Sequence, residues 1–256
     1  MRRMLLALLT LASIAGVVWA TPNINSAVVH TRIWNDCPTS ILTYDNSYPG
    51  SIWIQDSVNC QNGYANLHNW RLSEDGVNDA VFNNNDSFRI AADLVISGTG
   101  DAESGLQVTP WWSHDADGRF NVRSTDGEIA CFGGRLPFYT FTGTYGLHYV
   151  KGDMIHLEMI YLPHELTEVG PATMEYKLTY NSTDYTSGPL AFDQGNEGEG
   201  YGTWGMLNDA RVGAHIQVFV ASGGTIKSTW TNIVYEIINP VPVRATSWGK
   251  IKAQYR

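Results

Sequence analysis

The sequence is poor in several features that would define a function class. Beyond residue 20 it has no apolar run of about 18 residues, the length that a membrane-spanning helix needs. It has 16 Lys and Arg against 25 Asp and Glu, and the resulting charge of −9 repels the phosphate backbone of nucleic acids. Helical periodicity and alternation of strands with helices are nearly absent, which argues against a parallel sheet.

The first twenty residues have the pattern of a secretory signal peptide. Arg2 and Arg3 give a positive start, residues 4–18 are almost all apolar, and Ala20 is a small residue at the expected cleavage site. We therefore expect a secreted bacterial protein, extracellular or in the cell envelope, whose mature chain begins at Thr21. No transmembrane segment is expected in that mature chain.

The sequence has three cysteines, an odd number for an oxidising compartment. Cys37 and Cys60 flank an apparent hairpin, and we predict a disulfide between them, which would contribute about 3 kcal/mol to stability. Cys131 lies in an apolar segment and is predicted to be a buried thiol that packs as a small hydrophobic residue.

Short segments of alternating polarity, separated by Gly, Asn, Asp and Pro, predict an all-β antiparallel sandwich. The clearest predicted strands are residues 88–96, 105–112, 119–123, 128–132, 154–161, 172–180, 215–220 and 228–238. Pro240 and Pro242 cannot donate to a sheet ladder, so the domain is predicted to cover residues 21–238 and a linker and tail residues 239–256.

Several blocks of the sequence together resemble the concanavalin A-like lectin/glucanase (laminin-G-like) jelly-roll domains of secreted bacterial proteins. These blocks are residues 68–76, 86–94, 105–112, 213–217 and 230–236, and the resemblance covers residues 30–238. It implies two curved antiparallel sheets, which bind sugars in many relatives, sometimes with calcium. The superfamily also contains hydrolases, lyases and structural modules, so the fold does not decide the function.

Aromatic side chains in a glycine-rich loop provide the candidate ligand site. Trp204 and Tyr201 lie in the loop 193–206, which offers little apolar material for them to pack against. An indole ring can stack on the apolar face of a sugar, while Asp193 and Asn196 can bond its hydroxyl groups. Trp112 is a further candidate aromatic. The alternative is that these rings simply pack onto the sandwich.

Asp115 and Asp117 are the candidate metal ligands. They supply carboxylate oxygens two residues apart and just before a glycine, which suits calcium in a turn. The alternative is an ordinary hairpin turn, in which aspartate bonds its own backbone.

No catalytic residue is assigned. Glycosidases usually need two facing carboxylates, and the nearest pair here, Asp126 and Glu128, flanks a glycine that predicts a turn. Lyases of this fold resemble one another in a Gln-x-His strand, and residues 215–217 carry these residue types in reverse order. Tyr149 and Lys151 loosely match the Tyr-x-Lys strand of these lyases, in which a tyrosine would act as general acid and base next to a uronate carboxyl group that a His or Arg neutralises. The alternative is that His215 packs at a strand edge and Lys151 lies in a hairpin turn.

These observations favour a non-catalytic extracellular module that binds a glycan or another surface ligand. A polysaccharide lyase or glycoside hydrolase is the first alternative, and a structural cell-surface or assembly subunit is the second. Whether the chain forms a homo-oligomer stays open.

Overall fold

The computed structural model describes residues 21–109, 118–133, 136–192 and 204–238. Fourteen strands lie in this part of the chain: β1 (Ser26–Asn35), β2 (Ile41–Ser47), β3 (Ser51–Val58), β4 (Ala65–Ser73), β5 (Phe88–Gly98), β6 (Ala102–Thr109), β7 (Gly118–Arg123), β8 (Ile129–Phe132), β9 (Tyr139–Thr140), β10 (Met154–Leu162), β11 (Thr173–Tyr180), β12 (Thr183–Ala191), β13 (Arg211–Phe219) and β14 (Gly224–Ile237). One short α-helix, α1 (Phe141–Tyr145), and one 3₁₀ turn (Val220–Ser222) complete the described elements. No described helix has the length and apolar character needed to cross a membrane.

The strands form two antiparallel sheets of seven strands each. Sheet I has the order β1-β4-β13-β6-β7-β8-β9, and sheet II has the order β12-β11-β10-β5-β14-β3-β2. The predicted all-β antiparallel sandwich is thereby confirmed.

The core lies between the two sheets, because alternate residues of each strand point to the same face. Trp70 of β4 meets Trp230 of β14 edge to face, with ring centroids 6.0 Å apart. Phe120 of β7 packs against Tyr176 of β11 in the same way. The remaining alternate residues of each strand therefore point outward, away from the other sheet.

A cluster of polar side chains also lies inside the sandwich. Asp56 of β3 accepts hydrogen bonds from Asn66 Nδ2 at 2.7 Å and from His68 Nε2 at 3.2 Å, both on β4. His68 Nδ1 in turn accepts from the backbone N–H of Arg32 at 2.8 Å, so the imidazole is held on both sides. Burial alone would raise the pKa of Asp56, but the hydrogen bonds from His68 and Asn66 outweigh it and lower that pKa.

The predicted cysteine chemistry is confirmed. Cys37 and Cys60 form a disulfide, and Cys131 is a buried free thiol whose pKa is raised well above its ordinary value by burial. Such a thiol carries little thiolate and is chemically inert. The backbone N–H of Cys37 donates to Asn66 Oδ1 at 2.9 Å, which ties the disulfide to the polar cluster inside the sandwich.

Candidate functional site

The outward face of sheet I carries polar side chains at its centre. We call the following set the polar face: Asn69 on β4, Gln107 on β6, Arg119 and Asn121 on β7, and His215 and Gln217 on β13. Each of these residues alternates with a core residue on its strand, so all of them point away from sheet II. The polar face therefore gathers residues from four adjacent strands.

The strand register arranges the polar face in rows. His215 lies opposite Asn69 on one side and opposite Gly105 on the other, and Gly105 lies opposite Asn121. Because Gly105 has no side chain, the imidazole of His215 reaches across β6, and its Nε2 lies 3.2 Å from Asn121 Oδ1. Glycine within a strand often marks a place where another group approaches closely.

The second row contains Gly213, which lies opposite Gln107, and Gln107 lies opposite Arg119. Arg119 Nη2 donates to Gln217 Oε1 at 3.0 Å, and Arg119 Nη1 lies 3.4 Å from Glu103 Oε2. Glu103 also accepts from Arg123 Nε at 3.0 Å. Glu103 thus bridges the two guanidinium groups at this edge of the polar face.

The polar face is buried although it is outward. Asn69, Gln107 and His215 are all 0% exposed to solvent. Among the described residues, neither amide has any hydrogen-bond partner, and Arg119 Nε and His215 Nδ1 have none either. Leaving a buried donor or acceptor unpaired costs about 1–3 kcal/mol, and most buried polar groups in proteins are paired. The polar face therefore holds unused hydrogen-bonding capacity.

His215 is neutral at physiological pH. Burial, assisted by the positive charge of Arg119, lowers its pKa well below 6.5. Asn121 Oδ1 can only accept a hydrogen bond, so Nε2 of His215 carries the proton and Nδ1 presents a lone pair. The polar face thus combines amide donors and acceptors, a guanidinium donor and a neutral imidazole acceptor.

The structure places the residues predicted from the sequence as follows. Trp204 is half-buried, and its carbonyl oxygen accepts from the backbone N–H of Ala172, next to the start of β11 in sheet II. Its proposed stacking role stays a prediction. The other candidates lie outside the described residues: Tyr201, Asp193, Asn196, Trp112, Asp115 and Asp117.

The residues weighed for catalysis divide between two regions. His215 and Gln217 lie on the polar face, whereas Tyr149 belongs to the core and bonds Asp153 and Ile96. Lys151 lies in a turn, where its ammonium group donates to Asp101 Oδ1 at 2.8 Å. The structure therefore does not join the Tyr-Lys pair to the His-Gln pair.

Asp126 and Glu128 lie in and just after a turn, as the glycine between them predicted. Both bind the guanidinium of Arg123, with Asp126 Oδ2 at 2.9 Å from Nη1. Their side chains are 54% and 37% exposed, so they form a solvated ion-pair cluster rather than a facing catalytic pair.

Four residues of the polar face did not stand out in the sequence as site candidates: Asn69, Gln107, Arg119 and Asn121. A weak signal was available, because four neighbouring strands each carry polar residues at positions i and i+2. This pattern ordinarily indicates a solvent-facing side of a sheet. Only the structure shows that the side is buried and partly unpaired.

Comparisons with known proteins give only distant structural likenesses. No protein-family model matches the sequence, and no curated protein matches it. Among solved structures, alginate lyase A1-II′, a member of polysaccharide lyase family 7, is 9% identical, with a TM-score of 0.47 over 77% of this chain and 83% of that one.

Two carbohydrate-binding proteins are similarly distant. The module CBM66 from Bacillus subtilis is 11% identical, with a TM-score of 0.38 over 84% of this chain and 98% of that one. Lectin II from Ulex europaeus is 12% identical, with a TM-score of 0.40 over 85% of this chain and 95% of that one. Likeness at this level carries no inference about activity, and the assignment of the fold rests on the two sheets themselves.

Proposed function

We propose that this protein binds an extracellular glycan and that the polar face of sheet I is the binding site. The observation that carries the proposal is the pair of fully buried amides of Asn69 and Gln107, to which no described residue forms a hydrogen bond. Sugar hydroxyl groups donate and accept at once, and so does a carboxamide. A glycan on this face would supply the partners that the described residues do not.

The burial of the polar face leads to a prediction about the rate of ligand association. A ligand reaches Asn69 and Gln107 only after the atoms that cover them are displaced, since both residues are 0% exposed. Association that requires a structural change is slower than the usual range for rigid partners. Stopped-flow binding should therefore show an association step whose rate levels off at high ligand concentration.

The experiment is a glycan array with the exported protein, followed by calorimetry on the best neutral and acidic ligands. The variant Gln107→Met keeps the side-chain length and removes both the donor and the acceptor of the amide, and we expect affinity to fall about tenfold. The matched control is Gln55→Met on the outward side of β3 in sheet II, which should bind as the wild type does. Equal affinities for the two variants would exclude the polar face as the site.

A polysaccharide lyase is the second candidate, and one observation favours it. Neutral His215 presents an Nδ1 that no described residue bonds, on the same face as the guanidinium of Arg119. A base and a neighbouring cation are what proton removal next to a carboxyl group requires. Ultraviolet absorbance of unsaturated products from acidic polysaccharides tests it. His215→Gln should then abolish turnover and retain binding, whereas absence of product from every polysaccharide tried removes the candidate.

A further inference from the structure

A separate recess opens on the outward face of sheet II. It has a volume of about 390 Å³, and its polar lining is formed by His156, Glu158, Lys177, Thr179, Asp184 and Thr186. These residues belong to β10, β11 and β12, and those of β10 and β11 alternate with core residues on their strands. The recess is therefore separated from the polar face by the full thickness of the sandwich.

The imidazole of His156 is fixed by a chain of side chains behind the recess. His156 Nδ1 lies 2.6 Å from Asp93 Oδ1 on β5, and Asp93 Oδ2 accepts from Asn232 Nδ2 on β14 at 2.7 Å. The ionised carboxylate of Asp93 can only accept a hydrogen bond, so the proton of this bond lies on Nδ1 of His156. In the neutral imidazole, Nε2 is then free of a proton and can accept a hydrogen bond. The orientation of the ring is thus set by two neighbouring strands.

Asn232 reaches Asp93 because the backbone of β14 is irregular at this point. The register of β14 against β5 shifts between Thr231 and Val234, and Asn232 has a φ of 50°. Such a bulge redirects a side chain, and a non-glycine residue with positive φ is retained only where its surroundings fix it. Glycine would suit this backbone better but would lack the amide that holds Asp93.

The rest of the lining offers both donors and acceptors. Lys177 Nζ lies 3.8 Å from Glu158 Oε1 and 3.7 Å from Glu175 Oε1, which is beyond hydrogen-bond distance, so its N–H groups are available to a ligand. Asp184 Oδ1 accepts from Thr179 Oγ1 at 2.6 Å. Glu158 is held by Arg89 at 2.5 Å.

We propose that this recess is a second binding site and that it takes a neutral sugar residue. A ligand hydroxyl donates to His156 Nε2, and a second one accepts from Lys177. In and next to the recess, the carboxylates of Glu158, Glu175 and Asp184 outnumber the cationic groups of Lys177 and Arg89, so an anionic ligand is disfavoured. The volume lies at the small end of the range for ligand sites, which suits one or two sugar rings. The proposal does not depend on the polar face.

The test uses neutral malto-, cello-, manno- and galacto-oligosaccharides at millimolar concentration, with NMR detection of the His156 ring protons. In the wild type we expect saturable shifts of these protons. NMR of the oligosaccharide signals, which can be followed with every variant, should show that His156→Ala weakens binding about tenfold. His164→Ala, at an exposed histidine that bonds Thr173, is the control and should leave binding unchanged. If none of the oligosaccharides shifts the His156 signals, the proposal is overturned.

Asn232→Gly separates a binding role from a structural one. Glycine fits the positive φ, so the thermal unfolding temperature should hold or rise while oligosaccharide binding weakens several-fold. Unchanged binding in Asn232→Gly would show that the chain from Asn232 to His156 serves the fold alone and would overturn the proposal. Gln107→Met should not change binding at the recess, so failure of the polar face would be seen separately.

Discussion

The outward faces of the two sheets are both polar, yet they are organised in opposite ways. On sheet II, Arg89, Glu158 and Lys177 form ion pairs at a surface that solvent reaches, and Lys177 is 42% exposed. On sheet I, Asn69 and Gln107 are fully buried, and no described residue bonds their amides. Polar residues on an outer face can therefore pair with one another, or they can keep hydrogen-bonding groups unpaired for a ligand.

The contrast extends to what each arrangement does for stability. Ion pairs near the surface, such as the partly exposed ones of sheet II, contribute about 0–1 kcal/mol each. Buried unpaired amides reduce stability, and they persist mainly where function requires them. The polar face of sheet I is thus the region in which we expect stability and binding to oppose each other.

The largest expected effect concerns the close approach of strands on sheet I. A methyl group at Gly105 would lie 1.8 Å from the carbonyl oxygen of Phe120, so Gly105→Ala should lower the free energy of unfolding by about 3 kcal/mol. At Gly50, in the β2–β3 turn of sheet II, the nearest atom to such a methyl is 3.4 Å away. Gly50→Ala should change stability by less than about 1 kcal/mol in denaturant unfolding. Equal losses of stability in the two variants would show that the strands of sheet I approach no more closely at Gly105 than the β2–β3 turn does at Gly50.

A smaller effect follows from the lowered pKa of His215. The folded protein keeps His215 neutral, whereas the unfolded chain, with a pKa of about 6.5, takes up a proton as the pH falls. Stability should therefore decrease below about pH 6.5, by up to about 1.4 kcal/mol per pH unit, until the folded pKa is reached. Denaturant unfolding at a series of pH values measures the slope. His215→Gln should reduce it, and an identical slope in that variant would contradict a buried neutral imidazole.

The sequence was a good guide to the fold, because strand alternation and turn residues are local signals. The spacing of Cys37 and Cys60 around a hairpin predicted their disulfide, and the apolar surroundings of Cys131 predicted its burial. The fold class followed from the same reasoning, since period-two segments at regular spacing leave few architectures.

The polar face could not be predicted from these local patterns. Asn69 and His215 are 146 positions apart in the sequence, and only the pairing of β4 with β13 places them side by side. Alternating polarity also shows which residues share a face but not whether that face is covered. The sequence instead favoured Trp204 as a ligand-binding residue, because an aromatic residue in a glycine-rich loop can be recognised within one short segment.

The most direct test compares two asparagines of the same strand. Both Asn66 and Asn69 of β4 are 0% exposed, but the side chain of Asn66 bonds Asp56 and Cys37, whereas the side-chain amide of Asn69 has no hydrogen-bond partner among the described residues. Replacement by leucine keeps the approximate volume and removes the amide. We predict that Asn66→Leu lowers the free energy of unfolding by about 3 kcal/mol, because it leaves Asp56 short of a partner.

For Asn69→Leu we predict a free energy of unfolding that is unchanged or raised by about 1 kcal/mol, because no hydrogen bond is lost. Denaturant unfolding of the two variants beside the wild type gives both values in one series, and calorimetry should show weaker glycan binding by Asn69→Leu. A loss of stability in Asn69→Leu as large as that in Asn66→Leu would contradict the account, because it would mean that the amides of the polar face already serve the fold.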